Sequence, residues 1–149
     1  MDRTLDPRTR RERLEAVLAR DGARCVWCRR PFDPELVRPT VEHVVPRLKG
    51  GPAWIENEVA ACSRCNRQRG HRGPLEWLDE CQARGWLPDA TAVAHSLRAL
   101  DDAIARRGGQ RRARPYLAAQ LRRLARREAE GSGSLPWDAA SRARSWRAT

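Results

Sequence analysis

The chain has 149 residues, with 30 Lys+Arg against 19 Asp+Glu, a net charge of +11 and a pI near 11.1. That length allows one domain, or a small domain with appended helices, and a core that would benefit from a metal staple. The charge favours a polyanionic partner, nucleic acid first and an anionic membrane surface second. No run is long and apolar enough for a transmembrane helix, and the charged N-terminus has no secretory pattern, so the expected location is cytoplasmic.

Taken in order, Asp6-Pro7 predicts a helix start, and Leu14, Val17 and Leu18 form its apolar stripe before Asp21-Gly22 stops it. Arg8, Arg10, Arg11 and Arg13 cover the other surface, as a solvated face or as phosphate contacts. Cys25-Val-Trp-Cys28 then reads as a knuckle turn. Thr40 to Val45 predicts a strand rich in β-branched residues, carrying Glu42-His43. Pro46 ends it and Gly50-Gly51 turns the chain. A second extended piece is expected around Trp54-Ile55, followed by Asn57 and a helix-like segment with Cys62, Cys65 and Asn66.

The cysteines fall as two Cys-x-x-Cys pairs with 33 residues between Cys28 and Cys62, plus a single Cys81. In a cytoplasmic chain this spacing predicts metal ligation rather than disulfides: Cys25, Cys28, Cys62 and Cys65 would close one structural zinc site. Cys81, on an expected helix from Pro74 to Ala83, reads as a small buried hydrophobe.

The later segments look helical. Asp89 would cap a helix to about Arg107, striped by Val93, Leu97, Leu100 and Ile104, with His95 off the stripe. Pro115 would open another, with Leu117, Leu121 and Leu124 on one face. These stripes suit a helical hairpin, docking on the core, or a dimer interface. Gly131-Ser-Gly-Ser134 reads as a flexible linker, and the tail beyond it interleaves Trp137 and Trp146 with Arg142, Arg144 and Arg147. Residues 1–105 carry a net +2 and residues 106–149 a net +9, so the C-terminal third is the electrostatic arm. The expected divisions are an N-terminal helix (1–22), a core with zinc knuckles (23–86), a helical extension (87–130) and a basic flexible tail (131–149).

The stretch from Ala23 to Arg72, about a third of the chain, resembles the HNH endonuclease family, the ββα-metal or His-metal finger nucleases. The resemblance rests on Glu42-His43, Gly50-Gly51, Asn57 and Cys62-x-x-Cys65-Asn66. It implies a small α+β fold, a ββα-metal core with a four-cysteine zinc site, with added N- and C-terminal helices. It also implies that His43 is a general base, that Asn57 ties down the loop and helps orient it, and that Glu42 and Asn66 hold a catalytic Mg²⁺ or Mn²⁺. Position 42 departs from the pattern, since Asp is commoner there. Arg47, Lys49, Arg64, Arg67, Arg69, His71 and Arg72 surround this centre; the first four, with Arg69 and His71, are candidates for nucleic-acid contact. The expectation is a divalent-metal-dependent endonuclease acting on DNA. The contrasting expectation is a zinc-stabilised nucleic-acid-binding module without catalysis.

Overall fold

The computed structural model describes residues 6–145, with side chains described as far as Gly131. Its described residues form an α+β fold of five α-helices and one two-stranded antiparallel sheet.

Helix α1 spans Arg10–Asp21. It starts later than Asp6 because Thr9 makes the better cap. The Thr9 hydroxyl accepts from the Glu12 amide at 3.1 Å, and the Glu12 carboxylate accepts from the Thr9 amide at 2.6 Å, a complete capping box. Asp6 instead holds Arg8 at 3.0 Å and takes the Ile55 amide at 3.4 Å.

Strand β1 (Pro39–His43) pairs with β2 (Glu58–Cys62), with Glu42 opposite Val59 and His43 opposite Glu58. β1 ends before Val45 because Asn57 takes over the bonding. The Val44 amide donates to the Asn57 carbonyl, and the Val45 amide to the Asn57 side-chain oxygen at 2.8 Å. The Asn57 amide nitrogen donates back to the Val45 and Pro52 carbonyls, each at 3.0 Å. The extended piece expected at Trp54-Ile55 is instead a 3-10 turn, Ile55–Asn57, and the second strand follows it.

Both glycines of the loop are required. Gly50 has φ +87° and lies against the start of α5 (Ala113–Ser145): a Cβ there would sit 2.7 Å from the Arg112 Cβ. At Gly51 a Cβ would fall 1.8 Å from the Val45 carbonyl oxygen.

Cys62 closes β2 and caps α2 (Ser63–Arg69), its sulfur accepting from the Cys65 amide at 3.5 Å. Helix α3 spans Pro74–Ala83, and α4 spans Ala90–Arg107 behind the expected Asp89 cap. Helix α5 begins just before Pro115 and continues through Gly131-Ser-Gly-Ser134, where a flexible linker was expected. Trp137, Arg142 and Arg144 lie beyond the described side chains, and Trp146 and Arg147 beyond the described residues altogether.

One buried cluster runs from Cys25 to Leu124 and takes in Trp27, Trp54, Trp77, Val93, Leu97, Leu100 and Leu117. The apolar stripe of α4, and that of α5 as far as Leu124, are thus spent on the chain's own core. Ion pairs support the dock: Arg107 with Glu56 at 3.2 Å, Arg123 with Glu76, and Arg127 with Asp79. Helix α1 is held through Arg13, whose Nε reaches the Glu58 carboxylate at 2.5 Å, and through Arg20, which donates to the Ile55 and Glu58 carbonyls.

Stability should therefore be sensitive at the loop and at the Glu58 pair. Gly51→Ala forces the loop off Asn57 and is expected to cost roughly 1–3 kcal/mol as overpacking, read from urea midpoints. Gly131→Ala, with nothing within 4 Å of the new methyl, should be neutral or stabilising. At Glu58 the variable is acid. Burial pushes the Glu58 carboxyl up, but His43 and Arg13 beside it outweigh that and hold it below its ordinary value. Its contribution is therefore present above the ordinary carboxylate range and lost as pH falls below it. Breaking one side of so buried a pair costs on the order of 3 kcal/mol. Glu58→Gln should show that deficit at neutral pH, and the gap from the parent should close in acid, as followed by thermal melts across pH.

Candidate functional site

The first knuckle brings Cys25 and Cys28 together through a turn in which Arg29 takes a positive φ of 64° and returns its amide to the Cys25 carbonyl. The second comes from the β2–α2 junction. Together the Cys25, Cys28, Cys62 and Cys65 sulfurs lie within 4.8 Å of one another, three of the residues buried and Cys28 half-buried. Four sulfurs in that compass fit a tetrahedral metal ion such as zinc. Beside Cys65, whose bonding outweighs the effect of burial, the Cys25 thiol is held below its ordinary value. The Cys65 thiol, beside Cys25 and buried, is pushed up. Arg30, not singled out from sequence, donates to Cys62 Sγ at 3.3 Å and supplies positive charge at the rim. Cys81 stands apart, fully buried, its thiol pushed up by burial to about 12, in keeping with a small core residue.

Successive residues of β1 point to opposite faces. On one face Glu42 is buried between the knuckle and α2. The Trp27 indole donates to one carboxylate oxygen, and Arg69 Nη1 donates to the other at 3.1 Å. Arg69 also donates to the His43 and Val44 carbonyls and lies 5.4 Å over the Trp27 ring. Burial pushes the Glu42 carboxyl up, against the pull of Arg69 and Trp27. Arg69, expected on the surface among the nucleic-acid contacts, is thus a buried strut; in the sequence it is one Arg among many, and only its 2 % exposure distinguishes it.

On the other face His43 Nε2 lies 3.2 Å from Glu58 Oε2, within ion-pair distance although neither atom completes a hydrogen bond there. Glu58 is fully buried and also holds Arg13. Sequence reasoning misses both the role of Glu58 and its pairing with Arg13. The available signal is an acid inside an otherwise apolar strand, Glu58-Val-Ala-Ala-Cys62.

A cleft of about 190 Å³ gathers the expected centre: Glu42, His43, Arg47, Asn66, Arg69 and His71 all line it. The Asn66 amide nitrogen donates to Thr40 Oγ1 at 3.1 Å and to the Val41 carbonyl at 3.5 Å, which leaves its oxygen for a ligand. Asn57 does not line the cleft; it staples the loop beneath it. Arg47, Lys49, Arg67, His71 and Arg72 are exposed, while Arg64 is half-buried and stacks over Trp86 at 5.3 Å. His95 is exposed on α4, away from the cleft.

A carboxylate and an amide oxygen on one open cleft match the donor types of an oxygen-preferring divalent ion. Glu42 offers about four lone-pair positions, of which Trp27 and Arg69 take two.

Residues 25–72 match the family profile described as HNH endonuclease. No curated protein matches the chain. The matched segment begins at the first knuckle cysteine, contains both strands and α2, and ends just past the cleft, so the profile and the geometry select the same unit. Among the described residues no helix is long and apolar enough to cross a membrane. Residues 25–72, about a third of the chain, are therefore similar to the HNH endonuclease domain, a likeness that suggests a nuclease or nucleic-acid-related function.

Proposed function

We propose that the protein is a divalent-metal-dependent endonuclease that hydrolyses phosphodiester bonds in DNA, with a structural Zn²⁺ on Cys25, Cys28, Cys62 and Cys65. The observation that carries this reading is the cleft itself, where Glu42, His43 and Asn66 meet beside Arg47 and His71. Glu42 and Asn66 would hold Mg²⁺ or Mn²⁺, which when bound supplies Lewis-acid stabilisation to the phosphate and to the leaving 3′ oxygen.

His43 acts as the general base. With Nε2 turned to Glu58, Nδ1 is the nitrogen left to take a proton from water. The water oxygen bonds to phosphorus, the bond to the 3′ oxygen breaks and that oxygen takes a proton from solvent, and the imidazolium so formed is balanced by the Glu58 carboxylate. Asn57 holds the loop that carries Arg47 and Lys49. Arg47, Lys49, Arg64, Arg67 and His71 supply charge for the nucleic-acid backbone. The free thiols suit a reducing cytoplasm.

A binding module without catalysis is the second reading, and one observation favours it: Glu42 is almost wholly buried and Arg69 already neutralises it. Nicking of supercoiled plasmid with and without EDTA separates the two. On the catalytic reading His43→Ala keeps its fold, its zinc and its DNA affinity, and loses roughly 10²–10⁴-fold in the chemical step. Asn66→Ala should lose activity that added Mg²⁺ or Mn²⁺ partly restores, and Glu42→Asp should keep part of it. Wild-type rates in His43→Ala would end the catalytic assignment.

The zinc assignment has its own test. Thiolate coordination contributes on the order of 10 kcal/mol at a structural site. One Zn²⁺ per chain is expected by elemental analysis, and Cys25→Ser or Cys65→Ser should give insoluble or unfolded protein. Folded Cys65→Ser with unchanged metal content would sink the claim.

A further inference from the structure

A second cavity, of about 260 Å³, lies on the α1 side of β1 and is lined by Arg10, Arg13, His43, Arg47 and Glu58 among others. His43 and Arg47 line this cavity and the Glu42–Asn66 cleft alike, so they form the ridge between the two. The charges within it are unequal in kind. Arg13 and Glu58 are committed to each other at 2.5 Å. Arg10 and Arg47 are exposed, and among the described residues neither side chain has an ion-pair or hydrogen-bond partner. Two free guanidinium groups thus flank a cavity whose one carboxylate is already neutralised, next to the proposed base.

We propose that this cavity is a phosphate subsite, in which Arg10 and Arg47 grip the nucleic-acid phosphate next to the scissile one. The cleaved bond belongs to the endonuclease reading, on which this rests; phosphate binding rests on the cavity alone. A backbone crossing the His43–Arg47 ridge places one phosphate over the cleft and its neighbour in the α1 cavity. Guanidinium suits this role because it is always charged and its planar fork can give two parallel N–H bonds to phosphate oxygens. Arg10 is also well placed before any ligand arrives. It opens α1, which is fixed by the Thr9–Glu12 box and by the Arg13 and Arg20 bonds to β2 and its approach. Helix α1 lies outside the family match, so Arg10 comes from beyond the matched segment while Arg47 lies within it.

The test compares Arg10→Ala with Arg11→Ala. Arg11 stands on the same helix, 90 % exposed, and is not part of the cavity. Binding is read by fluorescence anisotropy with a labelled oligonucleotide of about 20 nucleotides, single-stranded and duplex, across salt. Cleavage is read on supercoiled plasmid. Arg10→Ala should bind the preferred form roughly tenfold more weakly, with a log–log salt slope shallower by about 1. Its KM should rise by the same factor with kcat unchanged, the mark of lost uniform binding. Arg10→Lys should recover part of the affinity, and Arg11→Ala should change it by less than about twofold. Equal losses in Arg10→Ala and Arg11→Ala would reduce the effect to net charge and overturn the subsite. Unchanged binding in Arg10→Ala, with the wild type still cleaving, would overturn the subsite and leave the endonuclease reading standing. Loss of binding specific to Arg10 in a wild type that cleaves nothing would uphold the subsite and remove the endonuclease reading instead.

Discussion

Four thiols drawn within 4.8 Å in a largely buried place impose a charge problem on the fold. Thiols that close either share protons or ionise against a cation, because unpaired buried charge is costly. Within the cluster Arg30 already donates to Cys62 Sγ, and the Cys28 and Cys62 sulfurs lie 4.0 Å apart. A metal ion on the four sulfurs would resolve the charge problem, and would join a knuckle at residues 25–28 to the strand–helix junction at residues 62–65. Trp27 sits inside the first knuckle and donates to Glu42 in β1. Arg69 comes from the helix that carries the second knuckle and closes on the same carboxylate. The acid of the cleft is therefore positioned from both halves of the cysteine cluster, and the geometry of the cleft depends on the cluster being closed.

The two faces of β1 give the two neighbouring residues different surroundings. Glu42 lies in a dry stack of indole and guanidinium, where burial pushes its carboxyl up. His43 looks the other way, toward a carboxylate that Arg13 helps to keep ionised. A single step along the strand separates these environments, and a one-residue slip in register would exchange them. Asn57 guards against that slip: it holds Val45 at both amide and carbonyl, and it does so only because Gly51 lets the loop come within contact. The extra methylene of Glu at position 42 has a physical counterpart here, since both carboxylate oxygens reach partners on other elements.

What the sequence made legible was local or carried by spacing. The paired cysteines, the acid–histidine step, the glycine turn and the helix cap at Asp89 each depend on residues near one another in the chain or on a motif of fixed intervals. Glu58, Arg13 and Arg69 were not legible, because their meaning comes from pairings with residues far along the chain, His43 with Glu58, Arg13 with Glu58 and Arg69 with Glu42. Nothing local marks Arg13 off from Arg10 and Arg11, yet Arg13 is turned into the protein by Glu58 while its neighbours face water. The late start of α1 and the short β1 have the same origin: Thr9 with Glu12 outcompetes Asp6, and Asn57 takes the bonds a longer strand would have used.

The basic C-terminal third also changes meaning once folded. Its net +9 suggests a free electrostatic arm, but Arg107, Arg123 and Arg127 each meet an acid of the preceding segments, and Arg112 donates to the Leu48 carbonyl in the hairpin loop. Surface pairs of this kind contribute little apiece, about 0–1 kcal/mol, so the apolar stripe supplies most of the docking energy. Their effect is on charge placement. Each arginine paired to Glu56, Glu76 or Asp79 cancels an acid that would otherwise repel a polyanion near the domain. The α5 dock also sets Arg112 against Gly50, fixing the loop from which Arg47 projects. The helices outside residues 25–72 thus act on that segment from two sides, the start of α5 by bracing the hairpin loop and α1 by bringing arginines to the far face of β1.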